Sequence, residues 1–218
     1  MIVCENVWKT FRTRGEEKSV ANGINAVFPT GIAVALLGRN GAGKSTLMSL
    51  IAGNQKPSRG RIWSDGTISW PVGFSGSFHG ELTGAQNVRF VSRIYGVNSD
   101  MLSAFVEDFA ELGSHFHYPL RTYSSGMRSR LAFGVSMGIR FDTYLVDEVT
   151  SVGDQRFKEK ANEVFNKRIG ASGAIVASHS MGVIRSMCSK AAVLENGNLT
   201  MYDNVEDGIA HHMENMKR

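Results

Sequence analysis

The sequence has few cysteines, no long apolar run and no biased tract, and each lack closes a class of explanation. Cys4 and Cys188 are the two cysteines among 218 residues. They lie too far apart in sequence for a zinc or redox spacing, so they read as reduced, buried thiols rather than a disulfide. The longest apolar runs, such as residues 32–37, fall far short of the roughly 20 residues a membrane-spanning helix needs. The N-terminal Met1-Ile2-Val3-Cys4-Glu5 lacks the charged-then-apolar layout of a signal peptide. Together these absences lead to the expectation of a soluble, cytoplasmic chain. No basic run with interleaved aromatics marks nucleic acid as the main ligand. The balance of 24 Lys and Arg against 20 Asp and Glu gives a formal +4, a mild excess that fits a nucleotide, an anionic membrane surface or nothing specific. No low-complexity tract, repeat or interdomain linker is present. With 42% hydrophobic and 20% charged residues, the composition is that of an ordinary globular α/β domain, with or without a small helical insertion.

What is present is organised around Gly38-Arg39-Asn40-Gly41-Ala42-Gly43-Lys44-Ser45-Thr46, which fits the phosphate-loop pattern Gly, four residues, Gly, Lys, Ser or Thr. From average composition this pattern arises by accident in roughly one per cent or less of chains this long. Its flanks agree. The run Ile32-Ala33-Val34-Ala35-Leu36-Leu37 has the length of a strand buried on both faces of a parallel sheet. Residues 44–52 read as a helix with Leu47, Leu50 and Ile51 on one face, Gly53 past its end and Pro57 beyond. The glycines let the backbone curl so that successive N–H groups point inward, and the helix N-terminus adds positive dipole. In such a cradle Lys44 reaches the β- and γ-phosphates and the Ser45 hydroxyl is placed for magnesium.

Around this centre the chain alternates. Residues 1–31 read as short antiparallel strands, at Met1-Ile2-Val3, Val7-Trp8 and 24–28, with charged residues 12–18 as an exposed loop. Residues 58–63 and 67–70 read as a hairpin turning at Asp65-Gly66. Residues 84–95, with Val88, Val91, Ile94 and Tyr95 at helical spacing, and 100–112, with Leu102, Phe105, Val106, Phe109 and Leu112, read as two amphipathic helices without an intervening strand. With a third helix over 127–139 they predict a helical subdomain at about 84–140, inserted in a single domain of residues 1–218. The last third returns to strand and helix alternation: strands at 143–146, 173–178, 191–194 and 199–202, helices at 155–169, 181–188 and 205–213. That order implies a parallel sheet with crossovers.

Three further clusters bear on chemistry. Thr143-Tyr144-Leu145-Val146 delivers Asp147 and Glu148 to a strand's C-terminal end, where ligands bind in such sheets. Asp147 is placed to hold magnesium through water and Glu148 to polarise an attacking water as general base. Tyr123-Ser124-Ser125-Gly126 opens a helix and so makes a second anion site, although Ser-Ser-Gly is also an ordinary turn and cap. His179 follows an apolar strand at the same sheet edge as Asp147, a place a structural histidine also occupies. His115 and His117 lack carboxylate or cysteine neighbours at a metal spacing and read as a solvent-facing loop; His211-His212 likewise reads as a helix surface. The ten methionines are scattered, as core filler is.

The order of these clusters carries a resemblance. Phosphate loop, Ser-Gly helix start, Asp-Glu strand end, Gly153-Asp154 and strand with His179 follow one another as in the ATP-binding-cassette ATPases, which the sequence resembles over essentially its whole length. The resemblance implies an α/β P-loop fold with a mixed or parallel sheet core, N-terminal antiparallel strands and a helical subdomain. It implies ATP and Mg2+ as ligands, with residues 38–46 as Walker A loop, Ser124-Ser125-Gly126-Met127 as signature motif, Asp147-Glu148 as Walker B end, Asp154 as D-loop and His179 as switch histidine near the γ-phosphate. It places an aromatic on the adenine, best matched by Phe11, with Trp8 as rival. Ile68-Ser69-Trp70-Pro71-Val72-Gly73, 82–88 and 122–133 with Val152-Gly153-Asp154 are similar to the ATPase subunit of capsular-polysaccharide exporters, relatives of O-antigen and teichoic-acid exporters. O-antigen subunits often carry a C-terminal carbohydrate-binding domain, which is not expected in a chain ending at Arg218, so the capsular branch is the expectation. The resemblance then implies a head-to-tail homodimer on the cytoplasmic face of the inner membrane and a polytopic permease docked on helices 84–112, through which the polysaccharide passes. A soluble cassette ATPase acting on ribosomes or DNA is the alternative; it usually has two cassettes or coiled-coil arms, neither of which is here. A GTPase reading fails at Asn166-Lys167-Arg168-Ile169, which ends in Ile where a guanine-reading motif has Asp. The general family has a glutamine in the loop that follows residue 70; here none lies between Trp70 and Leu82, and its role is unassigned.

Overall fold

The computed structural model describes residues 1–13, 16–73, 76, 78–147 and 154–217. The chain divides into two compact units: one of Met1–Pro71, Phe141–Glu148 and Ile169–Arg218, the other of Val72–Arg140 and Val149–Arg168.

The first unit holds two sheets. Strands β1 (Ile2–Thr13), β2 (Glu16–Phe28) and β4 (Arg59–Ser64) form an antiparallel sheet in the order β2-β1-β4. The larger sheet has the order β5-β6-β7-β3-β8-β9, from β3 (Ala33–Leu37), β5 (Ile68–Pro71), β6 (Thr143–Asp147), β7 (Gly173–Ala177), β8 (Lys190–Glu195) and β9 (Asn198–Tyr202). Its pairs are parallel except β8 with β9. β3, β6, β7 and β8 are almost wholly buried, which is why their sequences run apolar without alternation. Helices α1 (Lys44–Ile51), α6 (Met181–Met187) and α7 (Val205–Met216) belong to this unit. One apolar cluster joins Ile2, Val7 and Phe28 of the small sheet, Leu47 and Ile51 of α1, and Leu36, Leu145 and Ile175 of the large sheet.

The N-terminal strands are longer than their sequence suggests. The register shifts between Cys4 and Val7, Val7 and Trp8, and Lys9 and Thr10, and Asn6 sits at φ 48°, a left-handed conformation that asparagine tolerates. Such bulges break the alternation of apolar residues, so two strands of twelve and thirteen residues look like short pieces. The charged stretch expected as a loop is strand to Thr13 and again from Glu16, with Arg12 opposite Glu17 and its Nε 3.2 Å from Glu17 Oε1. Cross-strand pairs of opposite charge suit an exposed ribbon.

The expected hairpin at 58–70 does not form: β4 pairs with β1 in one sheet and β5 with β6 in the other. Thr67 explains the separation. Its N–H and hydroxyl both donate to Asp142 Oδ2, at 2.7 and 2.8 Å, and the Asp142 N–H donates to Thr67 Oγ1 at 3.0 Å. A buried Ser69 hydroxyl accepts the Leu145 N–H at 2.9 Å in the same pairing. These contacts join residues about 75 positions apart and override the local turn signal.

The second unit is helical: α2 (Gly84–Ile94), α3 (Ser99–Ala110), α4 (Ser125–Gly138) and most of α5 (Gln155–Gly170). Thr83 and Gln86 close the start of α2 in a reciprocal capping box. α3 and α4 approach closely through Gly134 and Gly138, where a methyl group would meet Phe109 and Leu102. Phe105, Phe109 and Phe133 stack through this core, with Phe157 edge-on to Phe109 and Phe165 tilted against Phe133. On α2, Ile94 and Tyr95 are exposed rather than inward-facing, and Phe90 and Met101 add further exposed apolar surface.

Candidate functional site

The phosphate loop spans the six residues between the end of β3 and the start of α1, and two neighbours fix where it lies. A methyl group on Gly38 would stand 2.5 Å from the Leu194 carbonyl oxygen of β8; one on Gly43 would stand 3.2 Å from Val20 Cβ of β2. Gly41 and Gly43 have φ of 79° and 105°, which residues with side chains rarely adopt. Lys44 turns back over the loop, its Nζ donating to the Gly38 carbonyl at 2.7 Å and the Arg39 carbonyl at 3.2 Å. Arg39, Asn40, Gly41 and Ser45 are exposed, Ala42 and Thr46 half-buried. The first turn of α1 has no acidic residue and its N-cap, Gly43, makes no side-chain hydrogen bond. Its orphan N–H groups and the positive end of its dipole therefore suit an external anion.

Strand register sets what shares this edge. Ala35 of β3 is level with Val176 of β7, and Val176 in turn with Val146 of β6. Gly38, the Ser178-His179 pair and Asp147 thus all emerge from the C-terminal edge of three adjacent parallel strands. Asp147 is the last residue of β6 and half-buried; His179 is exposed. Oxygen donors of the Ser45 and Asp147 types match the preference of a hard divalent cation. Glu148, assigned as general base, lies outside the described residues, as do Val152 and Gly153.

Phe11 and Trp8 are both partly exposed on β1, at 39% and 37%. The Lys9 ammonium lies 5.1 Å from the Phe11 ring centre, and Trp8 Nε1 donates to Asn6 Oδ1 at 2.9 Å. An open cleft of about 610 Å3 runs beside the phosphate loop, bordered by Lys18 and Val20 of β2, by Glu195 at the end of β8 and by His212 and Asn215 of α7. Neither α7 residue was expected from the sequence, and the reading of His212 as helix surface is corrected: it is 8% exposed. The signal lay in the spacing of Val205, Ile209, His212 and Asn215, which puts all four on one face of α7.

In the helical unit, Ser124 is the N-cap of α4, its Oγ accepting the Met127 N–H at 3.2 Å; Ser125 and Gly126 are exposed in the first turn. Helix α4 starts two residues before the sequence suggested because Ser124 supplies that cap. Tyr123 beside it is buried, its hydroxyl pushed up to about 12 by burial and donating to the His115 carbonyl at 2.5 Å. Asp154 caps α5 through the Phe157 N–H, at 3.0 Å, and pairs with Arg130 of α4 at 2.9 Å. The backbone donor first, then the Arg130 charge, hold its carboxyl below the usual range. Arg130 also lies 4.5 Å over the Phe157 ring. In the loop that lacks glutamine, Ser75 and Ser77 fall outside the described residues. His79 is exposed, and its backbone is held by the buried Asn87, which accepts the His79 N–H at 2.8 Å and donates to the His79, Leu82 and Thr83 carbonyls. Among the described residues no helix is long and apolar enough to cross a membrane.

Comparison with known proteins agrees with this arrangement. The family model described as ABC transporter matches residues 21–151. A polysialic acid transport ATP-binding protein of Escherichia coli, KpsT, is 48% identical over 212 residues, covering 96% of this chain and 95% of its own. A capsule polysaccharide export ATP-binding protein of Neisseria meningitidis serogroup B, CtrD, is 44% identical over 213 residues, with 97% and 98% covered. Among solved structures, a dimeric ATP-binding cassette in a post-hydrolysis state with ADP and phosphate superposes with a TM-score of 0.76 at 20% identity, covering 94% of this chain and 99% of its own.

Proposed function

The chain belongs to the ABC transporter family, and from that premise we propose that it is the ATP-hydrolysing subunit of an exporter that moves capsular polysaccharide across the inner membrane. The observation that carries the nucleotide reading is the uncapped start of α1, with Lys44 folded over the loop carbonyls and Ser45 exposed beside it. The capsular reading is supported by similarity to export proteins along nearly the whole chain.

In this reading the backbone N–H groups of residues 39–46 and the α1 dipole bind the phosphates, and Lys44 leaves its carbonyl partners for the β- and γ-phosphate oxygens. Phe11 or Trp8 stacks on the adenine. Ser45 and Asp147 would hold Mg2+, whose charge offsets that of the phosphates during transfer. Glu148 orients the attacking water as general base and His179 contacts the γ-phosphate. A lone helix start binds phosphate weakly, so the second anion site, Ser124, Ser125 and Gly126, comes from another copy of the chain arranged head to tail, with Asp154 linking the two sites. Dimer closure drives a separate polytopic permease. The exposed Phe90, Ile94, Tyr95 and Met101 of α2 and α3 form the apolar surface offered to it, which would hold the chain peripherally on the cytoplasmic face. The test is Lys44→Ala in a capsule-producing host carrying no other copy. The expected result is loss of surface polymer with intracellular accumulation; surface polymer retained at wild-type level refutes the export role.

A further inference from the structure

Helix α7 carries polar side chains where its core face calls for apolar ones. Its buried positions, Val205, Gly208, Ile209, His212 and Asn215, follow the three-and-four spacing of an inward stripe. Asn215 is satisfied: its Nδ2 donates to the Glu195 carboxylate and lies 3.1 Å from His211 Nε2, and His211 Nδ1 is 2.8 Å from the Tyr202 hydroxyl. His212 is not. It is 92% buried, and its Nδ1 is enclosed with no hydrogen-bond partner among the described residues. A leucine would fill the position without that penalty. The same side chain borders the cleft that runs along Gly38, Arg39 and Asn40 of the phosphate loop. The helix lies close against the strand that borders this cleft: a methyl group on Gly208 would come within 2.3 Å of Ala191 Cβ on β8.

We infer that α7 is a wall of the nucleotide site and that His212, on that wall, takes up a proton when a nucleoside di- or triphosphate fills the loop. The inference rests on the nucleotide reading above. With the loop in its present form, burial first, then Lys44, His179 and His211, push the imidazole below its ordinary 6.5, against the opposing pull of Glu195. Lys18 and Arg39 add positive charge along the same cleft. His212 is therefore neutral near pH 7. Phosphate groups in the loop reverse the balance: they offset Lys44, now bonded to loop carbonyls, and bring several negative charges to the cleft. A nearby anion raises an imidazole's affinity for a proton about tenfold or more. The proton comes from solvent, and by reciprocity the protonated protein binds the nucleotide tighter by the same factor.

The test uses the full chain, free and saturated with ADP. Its six histidine imidazoles are titrated by NMR, with His212 assigned by His212→Gln, or by sequential assignment should that variant not fold. Calorimetry of ADP binding in buffers of different ionisation enthalpy counts protons. The expected result is a His212 midpoint below 6.5 in the free chain, about one pH unit or more higher with ADP, and proton uptake near pH 7 exceeding that of His212→Gln. If ADP binds with measurable heat while the His212 midpoint stays or falls, this inference is overturned and the nucleotide reading stands. If millimolar ADP gives no binding heat, the nucleotide reading fails and this inference with it.

Discussion

Replacing Gly38 with alanine tests whether β8 sets the position of the phosphate loop. The added methyl carbon would lie 2.5 Å from the Leu194 carbonyl oxygen, whereas close carbon–oxygen contacts settle near 3.3 Å, so the two backbones must part by about 0.8 Å. Leu194 is poorly placed to give way: β8 is paired with β3 on one side and β9 on the other. The loop must move instead, and its Gly38 carbonyl is one of the acceptors that hold Lys44. Overpacking of this kind costs about 1–3 kcal/mol, equivalent to a fall in Tm of about 2–12 °C for a chain of this size. A misplacement approaching 1 Å costs about a hundredfold in function. Gly31→Ala is the control: φ there is 77° and nothing lies within 4 Å of the added methyl. That variant should lose about 1–2 kcal/mol to the left-handed backbone and bind nucleotide as before. Scanning calorimetry and ADP titration of both variants separate the effects. Gly38→Ala with ADP affinity within about twofold of wild type would mean that the loop is not positioned by β8.

Two further perturbations address the helical unit. Ser124→Ala removes the α4 cap, which should cost about 1 kcal/mol and lower Tm by about 2–4 °C. If Ser124 also serves a second copy's nucleotide, turnover collapses while ADP binding to the isolated chain persists; wild-type ATPase rates in Ser124→Ala would limit the residue to capping. Asp154 governs an acid transition. Because its folded carboxyl titrates below the ordinary 3.8, its contribution is complete above that value and is lost as pH falls from there through the folded value. Urea midpoints measured at pH 5 and pH 3 should fall more for wild type than for Asp154→Asn, which keeps a capping side chain but cannot titrate. Equal falls would show that the charge on Asp154, and with it the Arg130 pair, contributes nothing.

The parts of this molecule legible in its sequence are those decided by neighbours in the chain. The apolar run of β3, the glycines of the loop and the stripe of α1 all lie within twenty residues, and the structure keeps them in that order. The helix start at Ser124, read as an ordinary Ser-Ser-Gly cap, is equally local. What was not legible depends on distant partners or on interrupted periods. β4 and β5 were separated by Asp142, far along the chain. The register shifts in β1 and β2 hid two long strands. The adjacent pair His211-His212 looked like surface, yet on a helix the two side chains point about 100° apart, so His212 can be buried while His211 reaches Tyr202.

The helix starts, compared with one another, give a physical reason for placing the ligand at α1. A helix leaves its first N–H groups without internal partners, and folded chains normally supply side-chain acceptors for them. Thr83 does so for α2, Asn98 for α3, Ser124 for α4, Asp154 for α5, Ser180 for α6 and Asn204 for α7. Among the described α-helices α1 alone has a glycine there and no side-chain bond. Glycine at that position is required by φ of 105° and by Val20, whose Cβ would stand 3.2 Å from an added methyl, so the chain cannot cap this helix from within. The first-turn donors for which the N-cap offers no side-chain acceptor stand at the same sheet edge as Asp147 and His179, and beside the cleft that Arg39 and His212 border. A fold that caps six of its seven described α-helices and forgoes the cap on the one at the sheet edge it shares with Asp147 and His179 is built to have that helix completed by an anion from outside.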